Sequence, residues 1–116
     1  MASVSETSEQ SAVAAIAALQ ELPEPPTAVF SSNARTSMLL VQPVARAGFG
    51  FVSFGDFPMA AALTPPVCAI DQSPRTLGEL AAQRILERVG RPATDLERMT
   101  TVLPVKLLER GSCRMP

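Results

Sequence analysis

Hydrophobic residues in this 116-residue chain follow two patterns, one typical of helices and one of short buried strands. Apolar positions at helical spacing predict helices at residues 5–22, 34–47 and 74–89. Short apolar runs bounded by proline, glycine or small polar residues predict strands at residues 27–31, 50–54, 67–70 and 101–109, with one helical turn at 59–63. Strands that alternate with helices predict an α/β fold with an open, mainly parallel sheet.

Capping residues set the predicted ends of the first two helices. Ser5 or Thr7 can cap the first helix, and Asn33 can cap the second, because short polar side chains accept hydrogen bonds from the first helical N–H groups. Gly48 is a natural stop for the second helix. Pro43 lies inside this helix, where its missing N–H is expected to kink the helix or end it early.

The second half of the chain has weaker boundaries. The third helix has two candidate starts, which are Ser73 followed by Pro74 at the first helical position, or a capping box at residues 76–79. Pro104 favours an edge position or a bend for the last strand. The tail from Arg110 onwards is expected to be loose.

Composition excludes several classes of function. Hydrophobic residues make up 47% of the chain and aromatic residues only 4%, which is typical of a single modest domain with a light core. The net charge is −1, so no basic face for nucleic acid is expected. The chain has no histidine, which removes the most common general base and zinc ligand. No metal and no cofactor are therefore expected.

Cys68 and Cys113 are the only cysteines, and their spacing fits no metal motif. The sequence does not exclude a disulfide between them, and two reduced thiols in a cytoplasmic protein are the preferred interpretation. The N-terminus lacks the features of a signal peptide, and the longest apolar run is too short to span a bilayer. These features favour a cytoplasmic protein with no membrane partner.

Polar residues follow two of the predicted strands at their carboxyl ends. Ser31, Ser32 and Asn33 follow the first strand, where open α/β sheets bind ligands. Asp56 follows the second strand and is either a site residue or a turn residue. A serine nucleophile lacks a histidine base, so an enzyme is not expected.

Five segments resemble, in the same order, the effector domain of the lactose-repressor-type (LacI/GalR) transcriptional regulators. Residues 26–33 resemble a strand and helix start in that family, and residues 54–58 resemble a turn. The other matching segments are residues 63–72, 76–86 and 102–112. The resemblance covers nearly the whole chain, from about Ser5 to Cys113.

This resemblance implies a partial periplasmic-binding-protein-like (type I) fold, in which two lobes enclose a small-molecule effector. Residues 5–73 and 101–110 would belong to the C-terminal lobe, and residues 74–100 would form the crossing helix and loop of the N-terminal lobe. No counterpart of the DNA-binding helix-turn-helix domain is expected in this chain, so operator DNA would be bound only through a domain absent from it. The resemblance also implies a homodimer or higher self-association.

The effector-binding residues implied by the resemblance are Ser32, Asn33, Ala34, Arg35 and Gln72. Gln72 matches a residue at the lobe crossing that can line the effector cleft. Ala34 replaces an aspartate that commonly accepts hydrogen bonds from effector hydroxyls, which puts sugar binding of the usual kind in doubt. Arg35 either favours an anionic ligand or is a solvated residue at the helix start.

The function implied is the effector-binding and dimerisation part of a repressor that responds to a small sugar-like ligand. Two alternatives stay open. One is a truncated, self-associating fragment without ligand binding, because the helix at 74–89 would expose an apolar side. The other is a periplasmic-type sugar-binding protein with the same fold.

Overall fold

The computed structural model of the protein describes residues 8–91 and 100–114, which form a mixed sheet with helices. Its helices are α1 (Glu9–Gln20), α2 (Ala34–Ala47) and α3 (Pro74–Arg88). Its strands are β1 (Ala28–Ser31), β2 (Gly50–Phe54), β3 (Cys68–Asp71) and β4 (Lys106–Leu108). Two short 3-10 turns lie at Ala60–Ala62 and Gly111–Cys113.

The four strands lie side by side in the order β1-β2-β3-β4. The first three are parallel, with Ser31 beside Ser53 and Val52 beside Cys68. β4 pairs with β3 in the antiparallel direction, with Ile70 beside Leu107. The predicted α/β class with a mainly parallel sheet is therefore confirmed.

The core lies where α1 and α2 pack on the first strands. α2 contacts β1 and β2, and α1 packs against α2. Buried and part-buried residues alternate along β2, as expected when one face of a strand meets the core. The buried core residues are Ala12, Ile16, Leu40, Val44, Phe51, Phe57, Ala60 and Val67.

Predicted caps explain the helix ends. α1 begins after Ser8, whose hydroxyl accepts from the N–H of Ser11, while Ser5 and Thr7 lie outside the described residues. Asn33 caps α2 as predicted, and Gly48 ends it with φ +75°, in the left-handed region that favours glycine. Pro43 does not end α2 early, because the helix continues to Ala47.

α3 begins at the first of its two predicted starts. Ser73 precedes Pro74 as predicted, but its side chain makes no capping bond, and its N–H donates to Asp71 Oδ1 at 2.8 Å. The alternative start at residues 76–79 is wrong because the helix already begins at Pro74. None of the residues in α3 is buried. Leu77, Ile85 and Leu86 are exposed by 51%, 64% and 74%, as the sequence led us to expect.

Two strand predictions need correction. β1 was predicted to be buried, but it is the edge strand of the sheet, and Phe30 is 61% exposed, with its ring in a T-shaped contact with that of Phe54. β4 covers three residues rather than the predicted 101–109. It begins after Pro104, since proline lacks the N–H that a paired strand requires. Of the crossing helix and loop that the resemblance implies at residues 74–100, residues 92–99 lie outside the described residues.

The segment after β4 is ordered against the sheet, which contradicts the predicted loose tail. Ser112 is buried, and its hydroxyl donates to the carbonyl of Phe51 at 2.6 Å and accepts from the N–H of Cys68 at 2.7 Å. Cys113 forms a disulfide with Cys68, so the preferred interpretation of two reduced thiols is wrong. The 45-residue separation hid this pairing, which depends on the antiparallel return of β4.

Candidate functional site

The carboxyl ends of β1, β2 and β3 meet at one edge of the sheet. Ala34, Gly55 and Gln72 come together there. A Cβ atom on Gly55 would lie 3.5 Å from Ala34 Cβ and 3.5 Å from Gln72 Nε2. Gly55 also has φ +100°, which L side chains rarely adopt. Glycine therefore keeps open a small space between the start of α2 and the end of β3.

Two buried serine hydroxyls lie between the backbone segments that form this edge of the sheet. Ser37 and Ser53 are fully buried, and their Oγ atoms lie 2.6 Å apart. Ser37 Oγ also lies 2.8 Å from the carbonyl of Asn33, and Ser53 Oγ lies 2.7 Å from the carbonyl of Gly55. The two hydroxyl protons can fill only two of these three contacts at a time, and the two Oγ atoms link the backbone at Asn33 to that at Gly55.

Sequence reasoning missed Ser37 and Ser53, although a signal for them exists. Each occupies an inward position among apolar neighbours, in α2 and in β2 respectively. A buried hydroxyl requires a partner, so a serine at a core position implies a second polar group opposite it. Pairing these two serines required the register between α2 and β2, which the sequence alone did not provide.

The predicted site residues divide into two groups. Ala34 and Gln72 are part-buried and lie together beside Gly55. Ser32, Asn33 and Arg35 are exposed around the start of α2. Asn33 Oδ1 accepts from the N–H of Thr36 at 2.8 Å, so this oxygen serves as the helix cap.

Three of the predicted site side chains make no hydrogen bond within the described parts of the chain; these are Ser32, Arg35 and Gln72. Ser31 behaves differently because it is buried and its Oγ lies 3.3 Å from the carbonyl of Asn33. Ser31 therefore supports the helix start, while the exposed polar groups remain available to a ligand.

Both carboxylates near this edge already have partners. Asp56 receives two hydrogen bonds from Arg110, from Nη1 to Oδ1 at 2.9 Å and from Nη2 to Oδ2 at 3.0 Å. The hydrogen bond from Arg110 lowers the pKa of Asp56, and the hydrogen bond from the Phe57 N–H adds to this effect. Asp71 accepts from the N–H of Ser73. Asp56 is thus an ion-paired turn residue, which favours the second of its two interpretations.

A separate groove lies along α3. It has a volume of about 360 Å³ and is lined by apolar and arginine side chains. Leu80, Ile85 and Leu103 contribute apolar surface, and Arg84 and Arg88 contribute charge. Within the described residues, no group of three or more His, Cys, Asp or Glu side chains could hold a metal ion. Nor does any described helix have the length and apolar character needed to cross a membrane.

Sequence comparison connects this arrangement with known proteins. A family model described as a periplasmic binding protein-like domain matches residues 2–113. Over 93 residues, the chain is 30% identical to the ribose operon repressor of Escherichia coli (strain K12). That alignment covers 75% of this chain and 28% of the repressor, so the chain spans little more than a quarter of this relative.

Solved structures agree with the sequence comparison. A LacI-type transcriptional regulator from Bacillus cereus subsp. cytotoxis is 24% identical with a TM-score of 0.80, and the match covers 96% of this chain and 41% of that one. A LacI family regulator from Enterococcus faecalis V583 with bound ribose is 28% identical with a TM-score of 0.73, over 96% of this chain and 42% of that one. The chain belongs to the periplasmic binding protein-like domain family, and its fold is similar to part of LacI-type regulators.

Proposed function

We propose that this chain supplies one wall of the effector site in a transcriptional repressor that responds to a small sugar-like ligand. The observation that carries the proposal is the convergence of Ala34, Gly55 and Gln72 at the carboxyl edge of the sheet. Open α/β sheets bind ligands at this edge. The regulator from Enterococcus faecalis, which shares this fold, holds ribose.

The ligand-binding residues in this proposal are Ser32, Asn33, Ala34, Arg35 and Gln72. The hydroxyl of Ser32 and the carboxamide of Gln72 can both donate to and accept from ligand hydroxyls, and neither has a partner within the described residues. Ala34 offers only a methyl group and Arg35 only donors. The site therefore favours a ligand rich in acceptors over one that needs a carboxylate partner.

The remaining parts of the proposal concern the whole regulator. Ligand binding would shift the balance between two conformations, and the shift would reach the operator through a DNA-binding domain outside this chain. We place this action in the cytoplasm, and we propose a homodimer or higher self-association. The curated relatives are transcriptional repressors, which are not enzymes, so the comparisons favour this function over a fragment without ligand binding or a periplasmic receptor.

Nuclear magnetic resonance of the 116-residue chain tests ligand binding directly, because it detects millimolar affinities. Titration with ribose is expected to shift the amide signals of Ser32, Asn33, Gly55 and Gln72. Gln72→Ala should weaken these shifts severalfold, since it removes a polar group from the site. Gln42→Ala is the matched control, because Gln42 is an exposed residue in α2.

Two results would contradict the proposal. One is the absence of shifts at this edge in the ribose titration. The other is an equal loss of binding in Gln72→Ala and Gln42→Ala, which would mean that Gln72 has no special role.

A further inference from the structure

We propose that Cys68 and Cys113 form a reversible thiol–disulfide exchange site, at which small thiols and disulfides break or form the covalent bond between β3 and the segment after β4. Cys68 is the first residue of β3, and Cys113 lies in the 3-10 turn after β4. Their Cα atoms are 5.9 Å apart. This proposal goes beyond effector binding and does not depend on it.

The two sulfur atoms have unequal environments. Cys68 is fully buried in the sheet, whereas Cys113 is partly exposed. The backbone N–H groups of Arg110 and Cys113 each lie 3.1 Å from Cys68 Sγ, and both donate to it. The carbonyl of Arg110 also lies 3.2 Å from Cys68 Sγ, so backbone polar atoms of two residues already contact this sulfur. Cys113 is therefore the sulfur that solvent thiols reach, and Cys68 is the leaving group.

The order of the reduction steps follows from this difference between the two sulfur atoms. A thiolate such as that of glutathione attacks Cys113 Sγ, a mixed disulfide forms, and the Cys68–Cys113 bond breaks with its electron pair passing to Cys68. A second small thiolate then attacks the glutathione sulfur and releases Cys113 as a thiolate. Two electrons pass to the protein, two small thiols become one small disulfide, and the two protein thiolates take up protons. Oxidation by a small disulfide runs through the same steps in reverse.

Reversibility requires that the thiols stay close after reduction, and two groups beside them provide this. Ser112 binds the carbonyl of Phe51 and the N–H of Cys68 through hydrogen bonds that involve neither sulfur atom. The guanidinium of Arg110 holds Asp56 and also donates to the carbonyl of Val67 at 2.8 Å. The segment can thus stay docked while Cys113 changes its redox state.

Thiol–disulfide exchange is expected to change how firmly β4 is held in the sheet. The covalent bond closes a loop of chain that contains β3, α3 and β4. β4 itself is held by three residue pairs with β3 and lies at the end of the strand order. Loss of the covalent tie leaves the short pairing and the polar anchors to hold this strand. Reduction is therefore expected to increase local opening of β4 while β1 and β2 stay protected.

The first experiment assigns the roles of the two sulfurs. The full 116-residue chain is incubated in oxidised and reduced glutathione, quenched by alkylation and analysed by mass spectrometry. Cys68→Ser is expected to form a glutathione adduct on Cys113 at least about tenfold faster than Cys113→Ser forms one on Cys68, because burial restricts access. Equal rates, or no disulfide in the unsubstituted chain under oxidised glutathione, would overturn the proposal.

The second experiment needs no variant, so it remains decisive if a serine variant fails to fold. Reduced chain is treated with limiting alkylating reagent and mapped by peptide, and label is expected on Cys113 before Cys68. Hydrogen exchange of the oxidised and reduced chain is then compared. Exchange in β4 should be about tenfold faster after reduction, with the β1–β2 amides unchanged. Equal exchange at β4 in both states would contradict control of this strand by the disulfide.

Discussion

At the residue scale, single polar side chains hold the segment after β4 in place, and the sequence could not reveal them. Arg110 and Asp56 are 54 positions apart, and each alone looks like an ordinary surface charge. Ser112 likewise looks like a loop serine until β4 returns beside β3 and brings it to Cys68 and Phe51. The local sequence pattern predicts helices and strands well, but it does not predict contacts between residues that are far apart in the sequence.

Because of the Asp56–Arg110 ion pair, the folded protein is expected to lose stability as the pH falls. The folded state lowers the pKa of Asp56, mainly through the hydrogen bond from Arg110. This contribution is fully present above the unfolded pKa of about 3.9 and is lost as the pH falls through the lowered folded value. Because the Asp56 side chain is 37% exposed, we expect only about 0.5–1 kcal/mol.

Chemical denaturation of Asp56→Asn at several pH values measures this effect. The variant should be less stable than the parent chain at pH 7, and the two should converge in acid. Glu79→Gln is the control, since its pair with Arg75 is far more exposed and should contribute less. A constant difference between Asp56→Asn and the parent chain down to strong acid would contradict the assignment.

Ser112→Ala should be more damaging than the loss of any exposed serine. The substitution leaves the carbonyl of Phe51 and the N–H of Cys68 without their buried partner, which is expected to cost about 2–3 kcal/mol of the free energy of unfolding. Ser32→Ala is the matched control, because Ser32 is exposed. Urea denaturation measures both variants, and similar losses would argue against a structural role for Ser112.

At the element scale, the sequence predicted helix ends, which depend on nearby residues. It did not predict the burial of a strand, which depends on the strands and helices packed beside it. Asn33 and Gly48 set the ends of α2, and both were readable from residue type alone. The burial of β1 was not readable, because an apolar run does not say whether its strand lies in the middle or at the edge of a sheet. The family resemblance likewise identified Ala34 and Gln72 as site residues. It did not predict that both would lie next to Gly55, because this depends on the three-dimensional fold.

The cap of α2 gives a prediction that links stability to the candidate site. Asn33→Ala removes the acceptor for the Thr36 N–H and should cost about 1 kcal/mol. Asn33→Ser should restore most of this loss, because a serine hydroxyl caps helices about as well. Thermal denaturation of the two variants separates capping from any ligand contact. Equal destabilisation by both substitutions would mean that the carboxamide does more than cap the helix.

At the scale of the whole molecule, the sheet and α3 have different degrees of burial. α1, α2, β2 and the turn at Ala60–Ala62 contribute buried residues to one core, whereas α3 contributes none and lies over an open groove. The sequence predicted the helix and its apolar side correctly, because both follow from local spacing. It could not say what covers that side, since this depends on chain outside the helix.

The exposed side of α3 predicts concentration-dependent self-association of the 116-residue chain. Large apolar side chains left in water drive association, and Ile85, Leu86 and Val89 are each at least 64% exposed. Light scattering should give a mass that rises with concentration. Ile85→Lys should shift it towards the monomer, because a charge on the associating surface must be desolvated. Gln83→Lys adds the same charge at another exposed position of α3 and should change the mass much less. A folded monomer at high concentration would show that this surface drives no association on its own.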